Sequence, residues 1–173
     1  MSIMDEIEAL CEDGRLIKVE QSYPRPRGAE AFEPRSLYVT PEINEFLMSD
    51  HSLAPAASAD FTDFVFGEPF EVSLHSEHEF YCRMSRLDEA REEVWEMRIW
   101  DIEPQLRFYG RFAKRNIFII LYGPVEKSRF FRRRIRHNPI KRTCISTWQS
   151  IFSFDPLTGG DEINAYLSNV DPA

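Results

Sequence analysis

From residue 70 onward the chain changes to a period-two pattern that few architectures can absorb. The stretches "FEVSL", "EFYCRMSRL", "VWEMRIW", "QLRFYGRF" and "NIFIILYG" follow one another with short connections between them. Alternating apolar and polar residues in runs this short read as strands, and short connections favour antiparallel neighbours. "AKRN", between Phe112 and Ile117, is the length of a hairpin turn. "NIFIILYG" is apolar at nearly every position, which predicts a central strand covered on both sides.

Helical signals flank this block. Ile3, Ile7 and Leu10 recur at helical spacing before Gly14, and Thr40 followed by Pro41 is a helix start with Ile43, Phe46 and Leu47 on its apolar stripe. "YPRPRGAEAFEPR" reads as a surface loop, and "SDHSLAPAASAD" as a second loop within one domain. "IKRTCISTWQSIF" predicts a packed helix through Ile145, Trp148 and Phe152, and "LTGGDEINAYL" a glycine turn before a short terminal helix. The expected fold is α+β: a mostly antiparallel meander of four to five strands with helices packed on one face. It forms a single domain over 1–173, with an acidic N-terminal elaboration at 1–60 and a core at 61–155 interrupted by a basic insertion at 128–142.

Charge is divided unevenly along the chain. Residues 107–142 hold 12 Lys or Arg against Glu126 alone, although the formal net charge of all 173 residues is -8. Most of the basic side chains fall in "RFFRRRIRHNPIKR", residues 129–142. Such a split predicts either a face that binds a polyanion or two surfaces that pair with each other. The candidate polyanion contacts are Lys114, Arg115, Arg129, Arg132, Arg133, Arg134, Arg136, Lys141 and Arg142, with Phe130 or Phe131 placed to stack on a base. The competing readings are cations laid over apolar surface or paired with acids of the first 106 residues, and a plain solvated helical face. In one version of the pairing, the acidic N-terminal segment folds across the basic face and holds it shut.

Residues 94–128, "VWEMRIWDIEPQLRFYGRFAKRNIFIILYGPVEKS", carry a family resemblance. Trp95, Glu96, Met97 and Arg98, then Arg107, Phe108 and Tyr109, then Ile119 to Lys127 follow one another as in the core of the RelE/ParE superfamily of toxin-like proteins, in its HigB and phage-derived branch. The resemblance implies a RelE-like fold and action on RNA or the ribosome, with cleavage by attack of a ribose 2′-hydroxyl on the adjacent phosphate. That chemistry needs a proton acceptor, charge neutralisation on the phosphoryl oxygens and a proton donor to the leaving oxygen. Guanidinium groups suit the second role, being bidentate and permanently charged. The resemblance thus implies Arg98, Arg107 and Arg111 as charge stabilisers, Lys127 as a backbone grip, and Tyr109, Tyr122 or His137 in proton transfer or stacking. The chain departs from that family in being longer and acidic, and Ser128 stands where a second lysine is expected. The alternative is a non-catalytic interaction module that pairs its basic segment with an acidic partner: an antitoxin-like protein or a second copy of the chain.

Other features predict little chemistry. "HSEHE", residues 75–79, reads as a hydrated hairpin tip before a metal site, because alternation points His75 and His78 to opposite faces. "LDEAREE", residues 87–93, reads as a solvated connection. Cys11, Cys82 and Cys144 form no metal-ligand spacing and predict reduced, buried thiols. No motif calls for a cofactor or a metal, and no window reaches the length of a membrane span. The expectation is a cytoplasmic protein without membrane contact.

Overall fold

The computed structural model describes residues 2–75, 82–128 and 136–172. Its chain order is α1 (Ile3–Glu12), β1 (Ile17–Lys18), β2 (Ser36–Val39), α2 (Pro41–Leu47), α3 (Ala54–Phe66), β3 (Phe70–Ser73), β4 (Met84–Arg86), β5 (Trp95–Ile99), β6 (Gln105–Lys114), β7 (Ile117–Lys127), α4 (His137–Ile151), α5 (Ile163–Tyr166) and β8 (Val170–Pro172). Among the described residues the strands form one mixed sheet of eight, ordered β1-β2-β7-β6-β5-β4-β3-β8.

This corrects the expected meander. Strands β4 to β7 are antiparallel neighbours, but β2 joins β7 in parallel, and β3 is parallel to both β4 and β8. Two of these parallel pairs, β2–β7 and β3–β8, join distant parts of the chain, and periodicity within one stretch carries no record of strand direction or of remote partners. The helices also cover both faces, not one. Leu37, Val39, Trp95, Met97, Phe108, Phe112, Phe118 and Ile120 pack against Ile43 of α2 and Ala57, Phe61 and Phe64 of α3. On the opposite face Tyr38, Tyr109, Ile119 and Leu121 pack against Ile7 and Leu10 of α1 and Ile140, Cys144 and Trp148 of α4. A strand apolar on both sides demands two covers, and β7 receives them.

Local chemistry accounts for the helix positions. Ser2 Oγ accepts from Asp5 N at 3.2 Å while the Asp5 carboxylate accepts from Ser2 N at 2.7 Å, a reciprocal cap that fixes the start of α1. α3 starts inside the stretch read as a loop. Pro55 occupies its first turn, and Ala54, Ala57, Phe61, Phe64 and Phe66 are buried, Ala57, Phe61 and Phe64 against the sheet. Residues 1–60 are woven into the sheet through β1 and β2.

Two buried residues tie the chain ends to the centre. Asn116, at the β6–β7 turn with φ 64°, accepts Ser36 N at its carbonyl, donates its N–H to the Tyr166 carbonyl, and accepts Ser168 N at its side-chain oxygen. Arg35 is 3% exposed and donates to the carbonyls of Glu68, Ser168 and Asn169, with its guanidinium over the rings of Phe64 and Phe70. Burial lowers its pKa to about 10.

On the α3 side a small crevice is lined by Asp60, Asp63, Glu68, Phe70, Arg83 and Met97. Burial raises the Asp60 carboxyl to about 6, against the pull of Arg83 at 3.8 Å and with help from Asp63 and Asp101. The folded chain therefore holds this proton more tightly than the unfolded chain, so the Asp60 contribution to stability falls as pH rises from about 4 to 6. Asp60→Asn abolishes that slope. Its urea midpoint relative to the parent is expected to rise between pH 4 and pH 7; an equal difference at both values would rule this out.

Candidate functional site

Alternation along β5 sends Trp95, Met97 and Ile99 to the α2/α3 face and leaves Glu96 and Arg98 for the α4 face. Antiparallel register sets Glu96 opposite Tyr109 and Arg98 opposite Arg107. These side chains converge on one carboxylate. Glu96 Oε1 accepts from Arg98 Nε at 2.5 Å and from Arg107 Nη1 at 2.9 Å, and His137 Nε2 lies 3.2 Å from Oε2. Arg98 also donates to the Cys82 carbonyl at 2.9 Å, to Cys82 Sγ at 3.1 Å and to Ser85 Oγ at 2.6 Å. Arg107 donates to Gln105 Oε1 at 2.9 Å.

The cluster is sealed. Glu96 is 2%, Arg98 1% and Arg107 3% exposed, whereas the His137 side chain at the start of α4 is 23% exposed. Burial by itself would raise the Glu96 carboxyl; His137, Arg98 and Arg107 outweigh it and hold the group well below the ordinary carboxylate range. Burial and the adjacent Glu96 charge push the Tyr109 phenol strongly upward, so it holds its proton at neutral pH. Arg98 and Arg107 are thus counter-ions to an internal carboxylate, and Tyr109 is wholly buried.

The residues implied as taking part in cleavage separate accordingly. Arg98, Arg107, Tyr109 and His137 gather around Glu96. Arg111 turns elsewhere: its guanidinium donates to the Glu92 carbonyl and lies 5.5 Å from the Trp148 ring centre, and burial lowers its pKa. Lys127, partly exposed, ends β7 opposite Gln105. Glu96 itself was missed as a site residue, although the signal was present. In a strand whose neighbour carries Arg107, alternation puts Glu96 on the same face as Arg98.

The expected polyanion contacts do not share one face. Lys114 and Arg115 sit at the β6–β7 turn, where Arg115 lies 3.7 Å from Glu33. Lys127 and the basic segment leave the other end of β7, roughly 35 Å away at about 3.3 Å per residue. Lys141 is buried, with Nζ 2.7 Å from Glu92 and 3.7 Å from Glu89, and it donates to the Asp88 carbonyl at 3.2 Å. The solvated reading of "LDEAREE" thus holds only in part, since Glu93 is buried and accepts from the Tyr166 hydroxyl. Arg136 and Arg142 are exposed on either side of the first turns of α4. Arg129, Arg132, Arg133 and Arg134 lie outside the described residues, as do most of "HSEHE" and the proposed stacking residues Phe130 and Phe131.

The acidic helix α1 meets the far end of α4. Glu6 accepts from Ser153 N and Oγ, each at 2.6 Å, and Arg15 donates to the Ser150 carbonyl at 3.0 Å. The basic segment enters α4 at its opposite end, about 20 Å away for a helix of this length.

Among the described residues no group of three or more His, Cys, Asp or Glu is placed to hold a metal ion, and no helix is long and apolar enough to cross a membrane. The fold and site together define an α+β protein with a mixed sheet between two helical layers and an internal arginine–carboxylate cluster. No protein-family model, no curated protein and no solved structure matches this chain.

Proposed function

We propose that this protein binds RNA without cutting it, through the arginine-rich segment that joins β7 to α4. The observation that carries this reading is the sorting of the guanidinium groups. Arg98 and Arg107 are spent on Glu96 inside the sheet and Arg111 on Glu92 and Trp148, so none is positioned to neutralise a scissile phosphate. Tyr109, held protonated in the interior, does not serve as a proton acceptor. At the start of α4, Arg136 and Arg142 reach solvent, beside a stretch whose sequence adds Arg129, Arg132, Arg133 and Arg134 with Phe130 and Phe131 among them. Arginines interleaved with aromatics suit a ligand that offers both phosphates and base faces, and RNA meets that description better than an acidic protein surface does.

The test is fluorescence anisotropy with a fluorescein-labelled 20-nucleotide RNA titrated between 50 and 250 mM KCl. Five phosphate contacts predict a log–log salt slope of about -3.5, at roughly -0.7 per contact on a single strand. The labelled RNA is expected to run intact on a denaturing gel afterwards. Failure to bind at 50 mM KCl would overturn RNA as the ligand and leave an acidic protein partner; shortened RNA would overturn the non-cutting reading.

A further inference from the structure

We propose that Tyr122 is a stacking platform for an unpaired base, so that the RNA is single-stranded where it crosses the middle of β7. This rests on the RNA-binding reading above and specifies its ligand. Tyr122 is 37% exposed and directly follows Phe118 to Leu121, the four buried residues of the interior strand β7. The register explains its exposure. Gly110 pairs with Ile120 but Tyr109 with Tyr122, so β7 carries one residue more than β6 at this point. Leu121 stays in the core, and Tyr122 follows at the surface.

The ring is held from below and from one side. Tyr109, wholly buried, has its ring centre 6.3 Å from that of Tyr122 and 6.2 Å from the His137 imidazole. The three rings form a row running from β7 to the first turn of α4. The next residue, Gly123, has φ 137°, and a Cβ there would lie 2.8 Å from the Phe108 ring and 3.0 Å from the Arg107 carbonyl. The backbone beside Tyr122 is thereby pressed onto β6. Arg136, exposed, precedes His137, and Lys127 ends the strand five residues beyond Tyr122. A part-exposed aromatic ring backed by a buried one matches a nucleotide with its base splayed out. A duplex keeps its base faces stacked on one another and presents none to such a ring.

Three probes separate stacking from charge: a fluorescein-labelled 12-nucleotide mixed-sequence RNA, the same strand annealed to its complement, and heparin as competitor. Tyr122→Ala is expected to weaken single-strand binding about 5- to 100-fold and to change duplex and heparin binding less than twofold. Tyr122→Phe keeps the ring and retains single-strand affinity. Arg136→Gln with Arg142→Gln weakens all three. Thermal melting of each variant checks that the fold is intact. If the parent protein binds neither RNA probe, the RNA-binding reading fails and this inference with it. If the parent binds but Tyr122→Ala leaves single-strand affinity unchanged, or lowers all three alike, the stacking platform alone is overturned.

Discussion

Replacing Glu96 with alanine is expected to destabilise the fold by about 3–5 kcal/mol, because it leaves two buried guanidinium groups facing each other without their shared counter-ion. Against a total stability of about 5–15 kcal/mol for a domain, that is a large fraction. Urea denaturation of the variant measures it. Glu96→Gln keeps the shape and one acceptor oxygen and is expected to cost less. Removing all three charges together, as Glu96→Leu with Arg98→Met and Arg107→Met, is expected to cost less than Glu96→Ala alone, since no buried charge is then left without its opposite. A triple variant at least as unstable as Glu96→Ala would refute the internal counter-ion role. The pH dependence has a defined sign. The carboxyl is depressed in the folded state, so its contribution is present above the ordinary value of 4.5 and is lost only as pH falls well below it.

Gly110→Ala is expected to be comparably damaging for a different reason. A Cβ at this position would lie 2.1 Å from the Ile119 carbonyl oxygen and 2.9 Å from its carbon, both backbone atoms of β7. No rotamer change relieves such a clash; the two central strands must separate where their register already shifts. A loss of about 4 kcal/mol or more is expected in urea denaturation, near the upper end for single substitutions. A variant within about 1 kcal/mol of the parent would mean that β6 and β7 do not approach this closely at Gly110.

These two positions mark what the sequence discloses and what it hides. β5, β6 and β7 were legible because each is long enough for its alternation to show and because "AKRN" is a turn between two such runs. β2 was not, since "SLYV" is four residues lying between a proline-rich loop and a helix. α3 was hidden by alanine, serine and proline, and its helix is secured by tertiary burial of Phe61 and Phe64. Both errors removed material from the sheet's other side, which is how a two-layer meander came to be expected where two helical layers enclose a mixed sheet. At the site, Arg98 and Arg107 were legible as neighbours but not in their role. A count of charges along the chain shows twelve cations in one stretch; only strand pairing shows that one acidic residue from the preceding strand reaches two of the arginines on this face.

The parallel pairing of β2 with β7 bears on how the chain folds as it is made. Ser36 to Val39 emerge from a ribosome some 80 residues before their partners Ile117 to Ile120, and Arg35 completes its set of carbonyl acceptors, begun with Glu68, only when Ser168 and Asn169 are synthesised. Until then β2 has only the two-residue strand β1 on one edge, and Arg35 only part of its set of acceptors. Folding is therefore expected to wait for the C-terminus, with the β6–β7 hairpin as the local structure that can form first and the long-range closures last.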